Sequence, residues 1–347
     1  MKSAEPVSVA DDPSRHGWRR WLTFGAWLVA TALVIACARS VRWTDVGGLV
    51  RTIRVPWLAL AVVLNATILV FWAALWRAVL PAGESVRYAQ MFEINAIASA
   101  LMNTVPFLVG HAAAVVMLVK RAKVTRAGAL SVLALDQLGE GVAKAVVLLV
   151  VALSAPIPVW MRAGVALVTC GVAALLCALV LAARMHRPGK SRRQPSEPTP
   201  TPDGVSRILA RARAFVVRWA QGLDALRSWR RASSALSYAL ATKAADALAI
   251  VAVQRSFGLT ISFGGTMLVL AAMLLATMIP VAPGNVGTYE GSVFLAYRFL
   301  GVPPDQALGL ALVQHVCFMI PAVGIGYAML SRRAVVDRWL PRAPRPG

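Results

Sequence analysis

Acidic residues are scarce in this 347-residue chain, where 15 Asp and Glu face 36 Lys and Arg for a formal net charge of +21. Histidine and cysteine are scarcer still, with four of each. Cys37, Cys170, Cys177 and Cys317 all lie in apolar segments without paired Cys-x-x-Cys spacing. They read as small packing residues, which argues against a disulfide framework or a thiolate metal site. No clustered nucleophile, Asp-rich motif or His/Cys ligand set stands out, so no cofactor, no metal and no catalytic residue is expected. No base-reading motif accompanies the positive charge, so nucleic acid is not the expected partner. In a membrane protein such an excess marks cytoplasmic loops and anionic lipid head groups. The N-terminus is polar and lacks a cleavable signal pattern, so Leu22 onward reads as a retained first helix.

What the chain has in abundance is apolar length. Hydrophobic residues make up 58% of it, in several runs near the ~20 residues that one crossing helix needs. The fold class is all-α, a polytopic membrane bundle. Expected spans are Leu22 to Ala38, Trp57 to Val79, Ala127 to Leu153, Val159 to Ala183, Ser234 to Val253, Ser262 to Ile279 and Pro304 to Leu330. Residues 1–21 form an N-terminal tail, 22–185 a first membrane half, 186–232 a basic linker, 233–331 a second half and 332–347 a C-terminal tail. Basic clusters at Arg15 to Arg20, Lys120 to Arg126, Arg187 to Arg231 and Arg332 to Arg338 should share the cytoplasmic side, which puts both termini inside a multi-pass inner-membrane protein. Arg39, Arg42, Arg51 and Arg54 fall outside, against the rule; the apolar residues among them suit a short helix on the outer interface. The linker is proline-punctuated in its first half. After Asp203 its composition suits either a helix on the inner leaflet or a solvated segment.

Two places break the apolar pattern. Ile279 to Gly291 holds Pro280, Pro283, Gly284, Gly287 and Glu290 where a simple span would carry leucines. Prolines remove donors, glycines permit left-handed turns, and lipid cannot satisfy the freed backbone groups. Such a loop is therefore either an ordinary turn outside the membrane or a break buried in protein around a wet cavity. The first break, Asn103-Thr-Val-Pro106 with Gly110 and His111, divides Tyr88 to Val119 into two half-length helices that would fold back to the same side. Asp136-Gln137 follows the first break and Gln314-His315 the second in similar apolar runs. The two halves therefore look like a repeat, and the count of spans makes it an inverted one, with the second break entered from the opposite side.

At these residues the chain resembles the lysylphosphatidylglycerol synthase transmembrane region, a flippase-like membrane family. Pro280 to Glu290 is similar to its Pro-x-x-x-Gly-x-x-Gly-x-x-Glu motif, and Leu300 to Leu308 to the Gly-Val segment that follows. Asn103 to Gly110 is similar to its first proline segment, and Asp136 to Glu140 to its Glu-Arg-x-x-Asp segment. His111 stands where the family usually has glutamate, and Gln137 where it has arginine. The resemblance implies a lipid-handling protein that moves a charged or glycosylated lipid.

The charges inside the spans point the same way. Asp136, Glu140 and Lys144 repeat every four residues on one helix face, and Lys243 and Asp246 are three apart on another. A charge at the centre of a span costs at least ~2.5–3.5 kcal/mol, so these groups should face a cavity or one another. Either they only tie the bundle together, or Lys243 holds a lipid phosphate while the acids balance it. His111 and His315 are packing residues or proton carriers. Expected partners are membrane lipids, anionic or phosphate-bearing. Besides a transporter, a non-catalytic partner of a lipid or hopanoid synthesis enzyme and a membrane lipid transferase fit the composition.

Overall fold

The computed structural model describes residues 53–81, 83–105, 109–185, 229–278 and 282–339. The expected first span, the outer interfacial stretch up to residue 52, Pro106, most of the linker, Pro280 and the end of the C-terminal tail lie outside the described residues. The described elements are α1 (Val55–Ala78), α2 (Tyr88–Thr104), α3 (Val109–Lys120), α4 (Arg126–Ser154), α5 (Val159–Met185), α6 (Trp229–Ser256), α7 (Phe263–Ala276), a 3-10 turn (Pro283–Asn285), α8 (Thr288–Phe299) and α9 (Pro304–Trp339). Among them, α1, α4, α6 and α9 are long and apolar enough to cross a membrane.

Local chemistry explains the boundaries. Pro56 opens α1, where a missing N–H costs nothing. Thr125 caps α4 by accepting from the Gly128 N–H at 3.0 Å, and Ser262 caps α7 by accepting from Gly265 at 3.2 Å. α9 continues past the expected Leu330 because no Gly or Pro interrupts it before Pro341, and it accommodates Pro321 within. The four helices beside the breaks are short: 17 residues for α2, 12 for α3, 14 for α7 and 12 for α8. At 1.5 Å per residue each is only about 18–26 Å long, less than the ~30 Å hydrocarbon thickness.

Each short pair is a hairpin. α3 turns back onto α2 so closely that a Cβ on Gly110 would meet the side chain and backbone of Met102 and the Ala98 carbonyl. α7 and α8 pack in the same manner. The packing as a whole has a two-fold pattern. α1 packs on α2 as α6 packs on α7, α3 on α4 as α8 on α9, and α4 on α7 as α9 on α2. α1 and α6, which correspond in this pattern, share the most extensive helix contact and run antiparallel. The Arg54 N–H at the start of α1 donates to the Ser256 carbonyl at the end of α6 at 3.0 Å. Among the described elements α5 has no counterpart, and it rests on α4 and α7.

Lipid is as apolar as leucine, so close approach of small residues, more than hydrophobic burial, must hold such helices together. Gly326 of α9 lies against the Ala96 carbonyl and the Ala100 Cβ of α2, and Gly264 at the start of α7 against the Ser154 carbonyl at the end of α4. Two apolar cores follow the same division. One gathers Trp76, Met91, Leu118 and Val132 around the first hairpin, and the other Leu268, Leu270, Val293 and Leu310 around the second.

Candidate functional site

The second break is held by its own backbone. Gly284 has φ +62° and Gly287 φ +88°, conformations that a side chain would strain. The Gly287 N–H donates to Glu290 Oε2 at 2.6 Å, so the carboxylate three residues into the turn caps its own helix. A Cβ on Gly284 would sit 3.0 Å from the Asn103 carbonyl oxygen and 2.9 Å from the Met319 Cε. The two breaks therefore meet, and they meet against the middle of the α9 span. Asn103, at the end of α2, turns its side chain back to the Ser99 carbonyl at 2.9 Å, leaving its own carbonyl facing Gly284.

Behind Gly287 lies a buried polar chain. Thr266 Oγ1 donates to Gln254 Oε1 at 3.1 Å, Gln254 Nε2 to the Tyr297 hydroxyl at 3.4 Å, Tyr297 to Gln314 Oε1 at 3.2 Å, and Gln314 Nε2 to the Tyr289 hydroxyl at 3.0 Å. The Tyr289 ring stacks on His315 with centroids 4.2 Å apart. His315 Nδ1 lies 2.7 Å from Glu290 Oε1. Glu290 thus binds one break glycine with one oxygen and a histidine of α9 with the other.

The expected charge cluster forms across two spans. Lys243 Nζ lies 2.8 Å from Glu140 Oε1 and 3.4 Å from Asp246 Oδ2, and Lys144 Nζ lies 3.3 Å from Glu140. All sit near the middle of α4 or α6. Two carboxylates, Glu140 and Asp246, share the two ammonium groups, and Asp136 is held instead by neutral donors, Trp72 Nε1 at 2.7 Å and Gln137 Nε2 at 3.3 Å. Glu140, with its side chain 31% exposed against 10% for Lys243, is the open side of the cluster.

The structure thus brings together Asp136, Gln137, Glu140, Lys243 and Asp246 in one group, and Gly287, Glu290, Gln314 and His315 in another, with Asn103 and Gly284 at the contact of the breaks. His111 is half-buried on α3 and, among the described residues, shares no hydrogen bond or ion pair with them. Pro106 and Pro280 lie outside the described residues. His111 and Glu290 are each the third residue of their helix, while Asp136-Gln137 and Gln314-His315 each stand eleventh and twelfth in theirs. Sequence reasoning missed Trp72, Tyr289, Tyr297, Gln254 and Thr266. Tyr289 adjoins Glu290 in the motif and was findable; the others lie on apolar helices with no local signal.

The family model for the lysylphosphatidylglycerol synthase TM region matches residues 22–326, and the chain belongs to that family. No curated protein matches it at a significant level.

Removing one partner from a buried ion pair costs about 3–5 kcal/mol, because the other charge is left uncompensated. Lys243→Met should therefore lower the thermal unfolding temperature and folded yield in detergent, and adding Asp246→Asn should restore part of the loss. Unchanged stability of Lys243→Met would mean that Glu140 and Asp246 do not depend on the ammonium.

Proposed function

We propose that this member of the lysylphosphatidylglycerol synthase transmembrane-region family is a carrier that moves a charged or glycosylated, phosphate-bearing lipid head group across the inner membrane. The observation that carries the reading is the antiparallel run of α1 and α6 within a two-fold packing pattern. An inverted repeat of this kind offers two arrangements of the same contacts, one open to each side, with the site where the two broken hairpins meet. On this reading both hairpins are re-entrant, and the meeting of Gly284 with Asn103 is the contact that must slide when access changes. Lys243 supplies positive charge for a phosphate at the open Glu140 side of the cluster, where the head group competes with Glu140 for the ammonium. The basic flanks put both termini in the cytoplasm; labelling of Ser196→Cys from outside intact cells would contradict that orientation.

Glu290 ties the second break to α9, so it should matter to movement more than to folding. In liposomes carrying head-group-labelled anionic or glycosylated lipid, the protein should speed exchange between leaflets. Glu290→Gln, which keeps size and loses charge, should bring the rate toward the protein-free level at normal folded yield. A wild-type rate equal to that of protein-free liposomes would overturn the proposal. An unchanged rate in Glu290→Gln would restrict that carboxylate to helix capping.

A further inference from the structure

His315 is 5% exposed, and its two nitrogens are treated differently. Nδ1 meets the Glu290 carboxylate at 2.7 Å, while Nε2 is buried without a hydrogen-bond partner. Buried polar nitrogens are almost always paired, so an orphan at a built site marks a ligand position. The site around it is built. Gly287 N–H fixes one oxygen of Glu290, Glu290 fixes the imidazole tautomer by accepting from Nδ1–H, and the one-way donor chain from Thr266 to Tyr289 holds the ring that stacks on the imidazole.

The ligand must be small. The histidine is closed on one face by Tyr289, and among the described residues no group of three or more His, Cys, Asp or Glu surrounds a point where a metal ion would sit. A proton needs one lone pair, and the Glu290 carboxylate balances the imidazolium that results. We infer that His315 Nε2, positioned by Glu290 and Tyr289, is a proton-binding site beside the second break, and that its loading biases the movement of the broken hairpin; this use rests on the carrier reading above, the binding itself does not.

The groups that bear on His315 can be named for each packed element. α8 presents Glu290, Tyr289 and Tyr297, and α6 presents Lys243 and Asp246, with Glu140 of α4 behind them and Arg255 at the far end of α6. α9 itself carries Cys317 two residues on. α7 contains no titratable residue, α1 only Arg77 in its last turn, and α2 only Tyr88 and Glu93 near the end away from Asn103. At the matching positions of the first half stand His111 and Gln137, which do not form a carboxylate–histidine pair.

The direct test is nitrogen NMR of histidine-labelled full-length protein in nanodiscs. His16, His111 and His186 are replaced by glutamine so that the four histidines of the chain are reduced to His315. The expected result is a single step in which Nε2 gains a proton as the sample is taken from about pH 8 to about pH 5. If the triple variant misfolds, the same signal is read in the wild type by difference from His315→Gln. A Nε2 that keeps one protonation state across that range overturns the site. In the liposome assay, an imposed pH difference should change the wild-type rate, and an unchanged rate removes the link to hairpin movement. Absence of any lipid movement would defeat the carrier reading and the link together, while the NMR step would still decide whether His315 binds the proton.

Discussion

A helix that breaks where it is buried away from water must find partners for its freed backbone inside the protein. The rest of this structure follows from that constraint. The Gly287 N–H is taken by Glu290. Glu290 in turn needs His315, His315 needs the Tyr289 ring, and Tyr289 is fixed by Gln314 through a buried chain that reaches α6 and α7. One unsatisfied amide thus recruits side chains from four helices. Truncating a link so that its neighbour is left buried and alone costs roughly 1–3 kcal/mol, whereas Glu290→Gln keeps an acceptor for the Gly287 N–H.

The second constraint is charge. Four carboxylates, Asp136, Glu140, Asp246 and Glu290, lie inside the bundle with Lys144, Lys243 and His315. Lys243 of α6 reaches Glu140 of α4, and the pair fixes the relative heights of these two helices. Among the described residues Asp136 has no ion pair and accepts from an indole N–H instead.

Much of this was legible in the sequence because it is local. Apolar length located α1, α4, α6 and α9, and the Pro and Gly run from Pro280 to Gly287 located the break, where Gly284 and Gly287 take positive φ. The spacing of Asp136, Glu140 and Lys144 placed charge on one helix face, and that face does meet Lys243. What was not legible depends on helices distant in sequence. Trp72 and Asp136 are 64 residues apart, and an indole within an apolar run carries no sign of its partner. Gln254, Tyr297 and Thr266 read as isolated polar residues until packing aligned them. Glu290 was read as a cavity acid; its second task, capping α8, was implicit in its spacing from Gly287.

The account stands on the two breaks lying together inside the membrane. Spin labels at Val105 and Val286, one in each break, test this by electron–electron distance measurement in liposomes. Contact between the breaks predicts a separation well below the ~30 Å hydrocarbon thickness, whereas two ordinary turns on opposite faces would lie at or beyond that thickness and would contradict the account.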